Sequence, residues 1–145
     1  MIRLRIMTKE DLPFLLEVRN HKTTKINLEN NSIFSLNDCE IWFKTLKSPW
    51  YIIENKNIEP VGYIRTNGNE IGCDIHPKHR RKGYARLAYN EYLKDKDYAT
   101  LWVFEDNFAK NLYESLGFKE DGKCKIVRDR KYIHMEYKID ENTLK

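Results

Sequence analysis

Short apolar runs alternate with capped, amphipathic segments along the first third of the chain. Ile2–Ile6 alternates apolar and polar positions, which predicts a strand. Residues 8–11 and 35–38 each place a Thr or Ser three positions before an acid, a pattern that begins helices. The first helix is predicted to run toward Asn20. The polar stretch 21–34 between the two helices is predicted to be irregular.

The rest of the chain continues this alternation with six further strand patterns and two further helix patterns. The strand patterns cover residues 50–54, 58–65, 70–75, 101–104, 118–126 and 131–139. The helix patterns cover Tyr84–Leu93 and the segment that ends at Leu116. This order predicts an α/β protein with a mixed central sheet of about seven strands and four helices on both faces.

Composition and charge bound the class of protein. With 41% hydrophobic and 33% charged residues, the chain is predicted to form one globular domain over residues 1–145. No apolar run approaches membrane-spanning length, no signal-peptide pattern follows Met1, and the three cysteines are widely spaced. We therefore expect a cytoplasmic protein with no membrane partner, either a monomer or a homodimer. Much of the net charge of +4 lies in residues 78–82, which favours a local anionic ligand over nucleic acid.

That basic cluster belongs to residues 77–85, which connect a predicted strand to the start of a predicted helix. The first N–H groups of a helix have no partner within the helix, and the helix dipole adds partial positive charge there. Gly83 permits close approach of an anion to the backbone. The segment therefore predicts a phosphate-binding loop, and the alternative is an exposed basic loop without a ligand.

The same segment resembles motif A of the GNAT N-acetyltransferases, Arg/Gln-x-x-Gly-x-Gly/Ala. Arg80, Gly83 and Ala85 occupy the three defining positions, and Pro77 stands where a proline often precedes the motif. In that family the loop binds the pyrophosphate of acetyl-CoA, so acetyl-CoA is implied as the co-substrate. The resemblance implies cofactor contacts from this part of the chain by Ile75, His76, Arg80, Arg81, Lys82, Gly83, Tyr84 and Ala85.

A second segment, residues 105–118, resembles motif B of the same family. Its helical pattern buries Ala109, Leu112, Tyr113 and Leu116 on one face, and Gly117 favours the helix end. The resemblance implies that Asn107 and Lys110 contact the cofactor. The interval from Asn107 to Tyr113 is one residue shorter than in most of the family. Either Asp106 takes the role of the Asn, or the helix begins more tightly.

Acetyl transfer from a thioester to an amine requires a neutral amine, hydrogen-bond donors for the oxyanion and a proton for the leaving thiolate. The resemblance implies that Tyr113 is the general acid, and the alternative is a core aromatic. It also implies an oxyanion donor among the backbone N–H groups around Ile75 or His76. No metal is expected, because His76 and His79 have no third ligand nearby in the sequence. Cys73 alternates with isoleucines and is predicted to be a core residue rather than a nucleophile.

The general base is less well defined by the sequence. Glu70, Gly72 and Asp74 share one face of their predicted strand, because side chains alternate along a strand. Asp74 and Glu70 are therefore both candidates to accept the proton of the amine, and His76 is a third. Each of them could instead be a solvent-facing polar residue.

A narrower resemblance concerns the acceptor. Arg19-Asn20-His21 and residues 35–43 are similar to bacterial GNAT enzymes that acetylate nucleotide-linked amino sugars, such as the 4-amino-4,6-dideoxyhexose of pseudaminic acid biosynthesis. Cys39 stands where those enzymes often have a His. A sugar nucleotide would need cations for its diphosphate and an aromatic platform for its base. Residues of these types in plausible regions are Arg19, Lys22, Lys25, Trp50, Tyr51 and Arg65.

Two other functions are compatible with the sequence. GNAT enzymes that acetylate the N-termini of ribosomal proteins share the Arg-Asn and Trp-Phe features loosely. A non-catalytic CoA-binding module would keep the phosphate loop, but it would not need Tyr113.

Overall fold

The computed structural model describes residues 1–139, which form a single mixed sheet with helices on both faces. The strands are β1 (Ile2–Ile6), β2 (Tyr51–Asn55), β3 (Pro60–Asn67), β4 (Glu70–Ile75), β5 (Tyr98–Phe104), β6 (Lys119–Val127) and β7 (Arg130–Lys138). The helices are α1 (Leu12–Arg19), α2 (Lys22–Lys25), α3 (Leu36–Phe43), α4 (Tyr84–Leu93) and α5 (Ala109–Leu116). The predicted seven-stranded α/β architecture is confirmed. Residues 140–145 of the predicted domain lie outside the described residues.

Two elements differ in detail from the prediction. The short helix α2 lies within the stretch 21–34 that was predicted to be irregular, so the described chain has five helices rather than four. It forms because the His21 ring accepts a hydrogen bond from the Thr23 N–H and caps the turn. Strand β5 begins at Tyr98 rather than at residue 101, because residues 98–100 already pair with β7.

The sheet separates two apolar layers. On one face, α1 and α3 pack over the centre of the sheet, where Leu12 meets the buried Tyr63 of β3. On the other face, α4 lies mainly over β1 and β4 and α5 lies over β5, and Tyr89 and Leu116 pack in the same cluster as Leu101. No helix in the part of the chain that the structure describes is long and apolar enough to cross a membrane.

The sheet opens at one place, between β4 and β5. The strand order is β1-β2-β3-β4-β5-β7-β6, and β4–β5 is the one parallel pair within residues 1–139. These two strands pair at a single register position, Glu70 with Thr100, near the start of β4. Beyond that position they separate, so the second half of β4 leaves the backbone groups on its β5 side available to other partners.

A glycine holds β3 close to the end of β4 on the opposite side of the opening. A Cβ added to Gly62 would lie 2.4 Å from the backbone oxygen of Asp74 and 3.0 Å from the Cα of Ile75. Both neighbours are backbone atoms and cannot rotate away. Any larger residue at position 62 would therefore displace the end of β4, where the candidate site lies.

We expect Gly62→Ala to lower the free energy of unfolding by about 1–3 kcal/mol, because overpacking a tight backbone contact forces the strands apart. Gly72→Ala on β4 is a matched control, since its Cβ would meet only the flexible guanidinium of Arg65. The control should stay within about 1 kcal/mol of the wild type. Urea denaturation of the three proteins tests this, and equal stabilities for the two variants would contradict it.

Candidate active site

A cleft of about 680 Å³ lies where β4 separates from β5. Its walls come from the end of β4, the loop before α4, the first turn of α4, and the start of α5. The residues predicted from the sequence that line it are Asp74, Ile75, Arg80, Arg81, Gly83, Tyr84, Ala85, Asn107 and Tyr113. The fold thus brings together two segments that lie about 30 residues apart in the chain.

The loop at the mouth of the cleft has the backbone of an anion site. Arg81 and Gly83 adopt left-handed conformations, with φ of 63° and 82°, and a Cβ on Gly83 would meet no heavy atom within 4 Å. A glycine is therefore favoured at position 83 because of the positive φ, and not because a side chain there would collide with neighbouring atoms. Helix α4 begins immediately after it, and no side chain caps the helix. The first N–H groups of α4 are left to bind an anion.

Exposed cations surround this loop. Arg81 and Arg86 line the cleft, and Lys82 projects beside it. Within residues 1–139 none of the three forms an ion pair with a carboxylate. Free cations, free amide groups and open space in front of Gly83 together fit a pyrophosphate or another polyphosphate group.

The side chain of Arg80 forms three hydrogen bonds within the protein. Its Nε donates to the backbone oxygen of Ile75 at 3.1 Å, and its two terminal nitrogens donate to the hydroxyls of Thr23 at 2.5 Å and Thr24 at 2.9 Å. Burial lowers the pKa of Arg80, and the charge of Asp74 opposes that shift. The motif predicted a pyrophosphate contact, whereas the guanidinium is directed into the protein.

The start of α5 resolves the spacing question of the second motif. The Asn107 side chain accepts a hydrogen bond from the Ala109 N–H at 2.9 Å and begins the helix, while Asp106 turns away to pair with Arg130 at 2.7 Å. Asn107 keeps its predicted place in the cleft, and the helix start is tightened. Lys110, for which the motif predicts a cofactor contact, pairs with Glu120 at 3.0 Å and does not line the cleft.

Tyr113 packs among aromatic side chains and also lines the cleft. Its ring packs edge-on against Tyr89 and Phe118, and its hydroxyl reaches the cleft. The Tyr89 hydroxyl donates to the Tyr113 oxygen at 3.4 Å, which leaves the Tyr113 proton directed elsewhere. Burial raises the pKa of Tyr113 to about 12. This phenol therefore holds its proton throughout the physiological pH range.

The backbone amides at the end of β4 divide between the two sides of the strand. The His76 N–H donates to the Val61 oxygen of β3 at 2.8 Å, so His76 is not the free donor that was predicted as one of two alternatives. Because amide directions alternate along an antiparallel pair, the Ile75 N–H points to the other side, into the opening between β4 and β5. The His76 side chain lies outside the cleft and contacts Glu17 at 2.9 Å.

The two predicted carboxylates have different surroundings. Asp74 lines the cleft, and its Oδ2 lies 3.0 Å from the Nε of Arg65. The N–H is not directed at that oxygen, so the contact is Coulombic and Oδ2 accepts no hydrogen bond from any described residue. Glu70 lies at the paired end of β4, accepts a hydrogen bond from the Trp102 indole at 3.1 Å and does not line the cleft. Of the two candidates, only Asp74 faces the site.

Several residues of the cleft were not predicted as cofactor or catalytic residues. They are Thr23, Thr24, Asn27, Arg65, Cys73, His79, Arg86, Trp102, Val103, Phe108, Ala109, Asn111 and Leu112. Phe108 is the residue of this group that sequence reasoning could most readily have found, because it is an aromatic residue directly before α5. Its side chain is 86% exposed, which is typical of a ligand-binding position. The Arg65 guanidinium lies across Gly72 and occupies the space that a side chain at position 72 would fill.

A second cavity of about 600 Å³ lies on the α1–α3 face of the sheet. Its walls are mainly apolar and aromatic, with contributions from Phe34, Trp42 and Trp50. Arg19 enters it, donates to the backbone oxygen of Asn30 at 2.6 Å and stacks on the Phe34 ring at 4.8 Å. Burial lowers the pKa of Arg19, and no carboxylate of the described chain pairs with it. Cys39, at the position where the amino-sugar enzymes often have a His, also lines this cavity.

Comparison with known proteins identifies the family. The model of the GNAT acetyltransferase domain matches residues 47–120, just over half of the chain, which covers the phosphate loop and α5. No curated protein sequence matches the chain significantly. This protein belongs to the GNAT acetyltransferase family and is an acetyl-CoA-dependent N-acetyltransferase. Acetyl-CoA is its co-substrate, and the loop at residues 81–86 fits the phosphates of that molecule.

Solved structures share the fold at low sequence identity. The spermidine N-acetyltransferase of Vibrio cholerae, solved with CoA and spermine, is 21% identical with a TM-score of 0.83 over 94% of this chain and 95% of its own. A protein assigned as a phosphinothricin N-acetyltransferase is 19% identical with a TM-score of 0.80 over 97% and 100% of the two chains. The yncA protein of Salmonella typhimurium, solved with acetyl-CoA, is 20% identical with a TM-score of 0.72 over 97% and 95%.

Arg81 lines the cleft, whereas Lys110 is paired outside it, and this difference allows a test of the phosphate-binding site. We expect Arg81→Gln to weaken CoA binding by about threefold to tenfold, because it removes a cation beside the phosphate site. Lys110→Gln removes a cation that is paired outside the cleft and should leave CoA affinity within about twofold of the wild type. Calorimetric titration with CoA at low and moderate salt measures both. Equal losses for the two variants would contradict the cleft geometry.

Proposed function

We propose that this enzyme transfers the acetyl group directly to an amine bound in the same cleft, with Tyr113 as the general acid. The observation that carries the proposal is that the Tyr113 hydroxyl and the end of β4 with its free Ile75 amide line one cleft with the phosphate loop. Acetyl-CoA supplies an activated acetyl group as a thioester. The Ile75 N–H is suited to stabilise negative charge on the acyl oxygen, and Tyr113 holds a proton for the departing sulfur.

Asp74 is the group that we propose to accept the proton of the amine, directly or through water. Its Oδ2 is buried and free of hydrogen bonds within residues 1–139, yet the side chain faces the cleft. Glu70 is less suited, because its carboxylate is held by the Trp102 indole away from the cleft. The Nε of Arg65 lies 3.0 Å from Oδ2 of Asp74 and holds that carboxylate in place at the end of β4.

For the acceptor, we propose an anionic amine, specifically a nucleotide-linked 4-amino-4,6-dideoxyhexose. The charges around the acceptor side support an anionic molecule. Arg65 lies across β4 within the cleft, and Arg19 is a half-buried cation that forms no ion pair with a carboxylate of residues 1–139. A half-buried cation without a carboxylate in contact favours an incoming anion such as a diphosphate. The Trp42 and Trp50 walls beside Arg19 would suit a planar base.

A polyamine is a weaker acceptor for this chain than a sugar nucleotide. Two solved relatives act, by their names, on spermidine and on phosphinothricin, which are a polycation and an anionic amine. A polycation needs several free carboxylates around it. Asp74 is the one carboxylate among the described residues that line this cleft, and it already faces Arg65. The charge balance therefore favours the anionic class. The unpaired cysteines agree with a cytoplasmic enzyme, where such acceptors are made.

A thiol-release assay with acetyl-CoA tests the acceptor class. The panel contains UDP- and dTDP-linked 4-amino-4,6-dideoxyhexoses, spermidine, phosphinothricin and short peptides with free N-termini. We expect turnover of a sugar nucleotide. Turnover of peptides alone would move the protein to the N-terminal acetyltransferases, turnover of spermidine alone would overturn the anionic acceptor, and CoA binding without any turnover would indicate a non-catalytic module.

Arg19 should determine affinity for such an acceptor. We expect Arg19→Gln to raise KM for the sugar nucleotide by about tenfold, because a charge-assisted contact to the diphosphate is lost. The control Lys44→Gln removes an exposed cation just beyond α3 and should leave KM unchanged. An unchanged KM in both variants would place the diphosphate elsewhere.

Tyr113→Phe tests the general acid. We expect kcat to fall by about 100-fold or more, because the leaving sulfur loses its proton donor. With a pKa of about 12, Tyr113 should also stay protonated in alkaline buffer. At any pH up to about 10, loss of this proton should therefore not lower kcat of the wild type. Steady-state rates from pH 6 to 10 measure both effects. A small decrease in kcat of the variant would show that Tyr113 has only a structural role.

A further inference from the structure

We propose that Arg80 is a positioning residue that joins the end of β4 to helix α2, which lines the same cleft, and that it does not bind the pyrophosphate. This inference deepens the proposed function, because it assigns a different role to the first residue of the phosphate-loop motif. It rests on where the guanidinium is directed. Every nitrogen of that group donates to a protein oxygen, one in β4 and two in α2.

The contact with β4 fixes one particular peptide group. The peptide between Ile75 and His76 donates its N–H to the Val61 oxygen at 2.8 Å and accepts at its oxygen from the Arg80 Nε at 3.1 Å. Hydrogen bonds at both ends hold the plane of that peptide. Since the Ile75 N–H points to the same side of the strand as the Ile75 oxygen, Arg80 also sets the direction of the proposed oxyanion donor.

The contact with α2 fixes part of the acceptor wall. Thr24 is buried and accepts from one terminal nitrogen of Arg80, while Thr23 accepts from the other and also bonds to the His21 ring at 2.8 Å. Both threonines line the cleft together with Asn27, which follows the helix. A four-residue helix has little stability of its own, so contacts of this kind determine where it lies.

The far end of the same segment is held by the β6–β7 hairpin. Arg128 donates to the backbone oxygens of Leu28 and Glu29 at 2.6 and 2.7 Å, and Arg130 donates to the backbone oxygen of Ile26. The segment 22–29 is therefore attached at one end to the cofactor loop and at the other end to the hairpin. Through its hydrogen bonds to Thr23 and Thr24, Arg80 therefore couples the position of the cofactor loop to the position of the acceptor.

Two variants separate this role from pyrophosphate binding. Arg80→Lys keeps the positive charge but cannot supply three diverging N–H groups. Thr24→Val leaves the cofactor loop and all charges intact and removes one acceptor on α2. Each protein is compared with the wild type for the CoA dissociation constant, for kcat and acceptor KM, for thermal unfolding, and for hydrogen exchange of the amides of residues 22–28.

We expect Arg80→Lys to lower kcat and to raise acceptor KM, with a combined loss in kcat/KM of about tenfold to 100-fold, because charge-assisted hydrogen bonds are lost. Thr24→Val should raise acceptor KM by about threefold to tenfold. Both variants should bind CoA within about twofold of the wild type and exchange the amides of residues 22–28 faster. Arg81→Gln should show the opposite pattern, with weaker CoA binding and normal exchange.

A large loss of CoA affinity in Arg80→Lys with unchanged exchange in α2 would overturn the proposal and return Arg80 to the pyrophosphate. Unchanged acceptor KM and unchanged exchange in Thr24→Val would overturn the link to α2. The exchange measurement needs no substrate, so it decides between these outcomes even if the wild type acetylates none of the tested amines. In that case the proposed acceptor is wrong, and the exchange rates of residues 22–28 alone decide the role of Arg80.

Discussion

The separation of β4 from β5 after one paired position is the constraint on which the rest of this structure depends. Two adjacent parallel strands normally satisfy each other's backbone groups, and a buried amide or carbonyl without a partner costs about 1–3 kcal/mol. Here the pairing ends at Glu70 and Thr100, and the second half of β4 must find other partners. Arg80 provides one of them for the Ile75 oxygen, while the Ile75 amide remains directed into the cleft. The opening is thus maintained by side chains from outside the sheet.

Five arginines around the cleft and the segment beside it fall into two groups with different chemistry. Arg80, Arg128 and Arg130 donate to backbone or hydroxyl oxygens and hold irregular segments in place, and Arg130 also pairs with Asp106. Arg81 and Arg86 have no described carboxylate partner and leave their charge at the mouth of the cleft. The first group shapes the site and the second attracts an anionic ligand. A count of basic residues in the sequence cannot separate these roles, because Arg80 and Arg81 are neighbours in the chain and take different ones.

Prediction from the sequence succeeded where function depends on local conformation. The strand–loop–helix arrangement at residues 70–93 and the helix that ends at Gly117 follow from periodicity, capping and glycine, all of which act over a few residues. Tyr113 reaches the cleft because its spacing on α5 fixes its face. Local patterns did not indicate which partners the side chains of Arg80, Lys110 and Glu70 take. Their partners, Thr24, Glu120 and Trp102, lie between 10 and 56 residues away in the sequence.

The sequence by itself determined the family, the order of the strands and helices, and the backbone of the phosphate loop, since each of these is encoded in contiguous residues. Only the tertiary structure decided which long polar side chains enter the cleft. A flexible side chain with several donors takes whichever partner the fold brings within about 3 Å, and that choice depends on packing between distant segments. The same reason explains the second cavity with Arg19, whose walls come from α1, α3 and the segments beside them. No local pattern predicts that these elements enclose an arginine that forms no ion pair within residues 1–139.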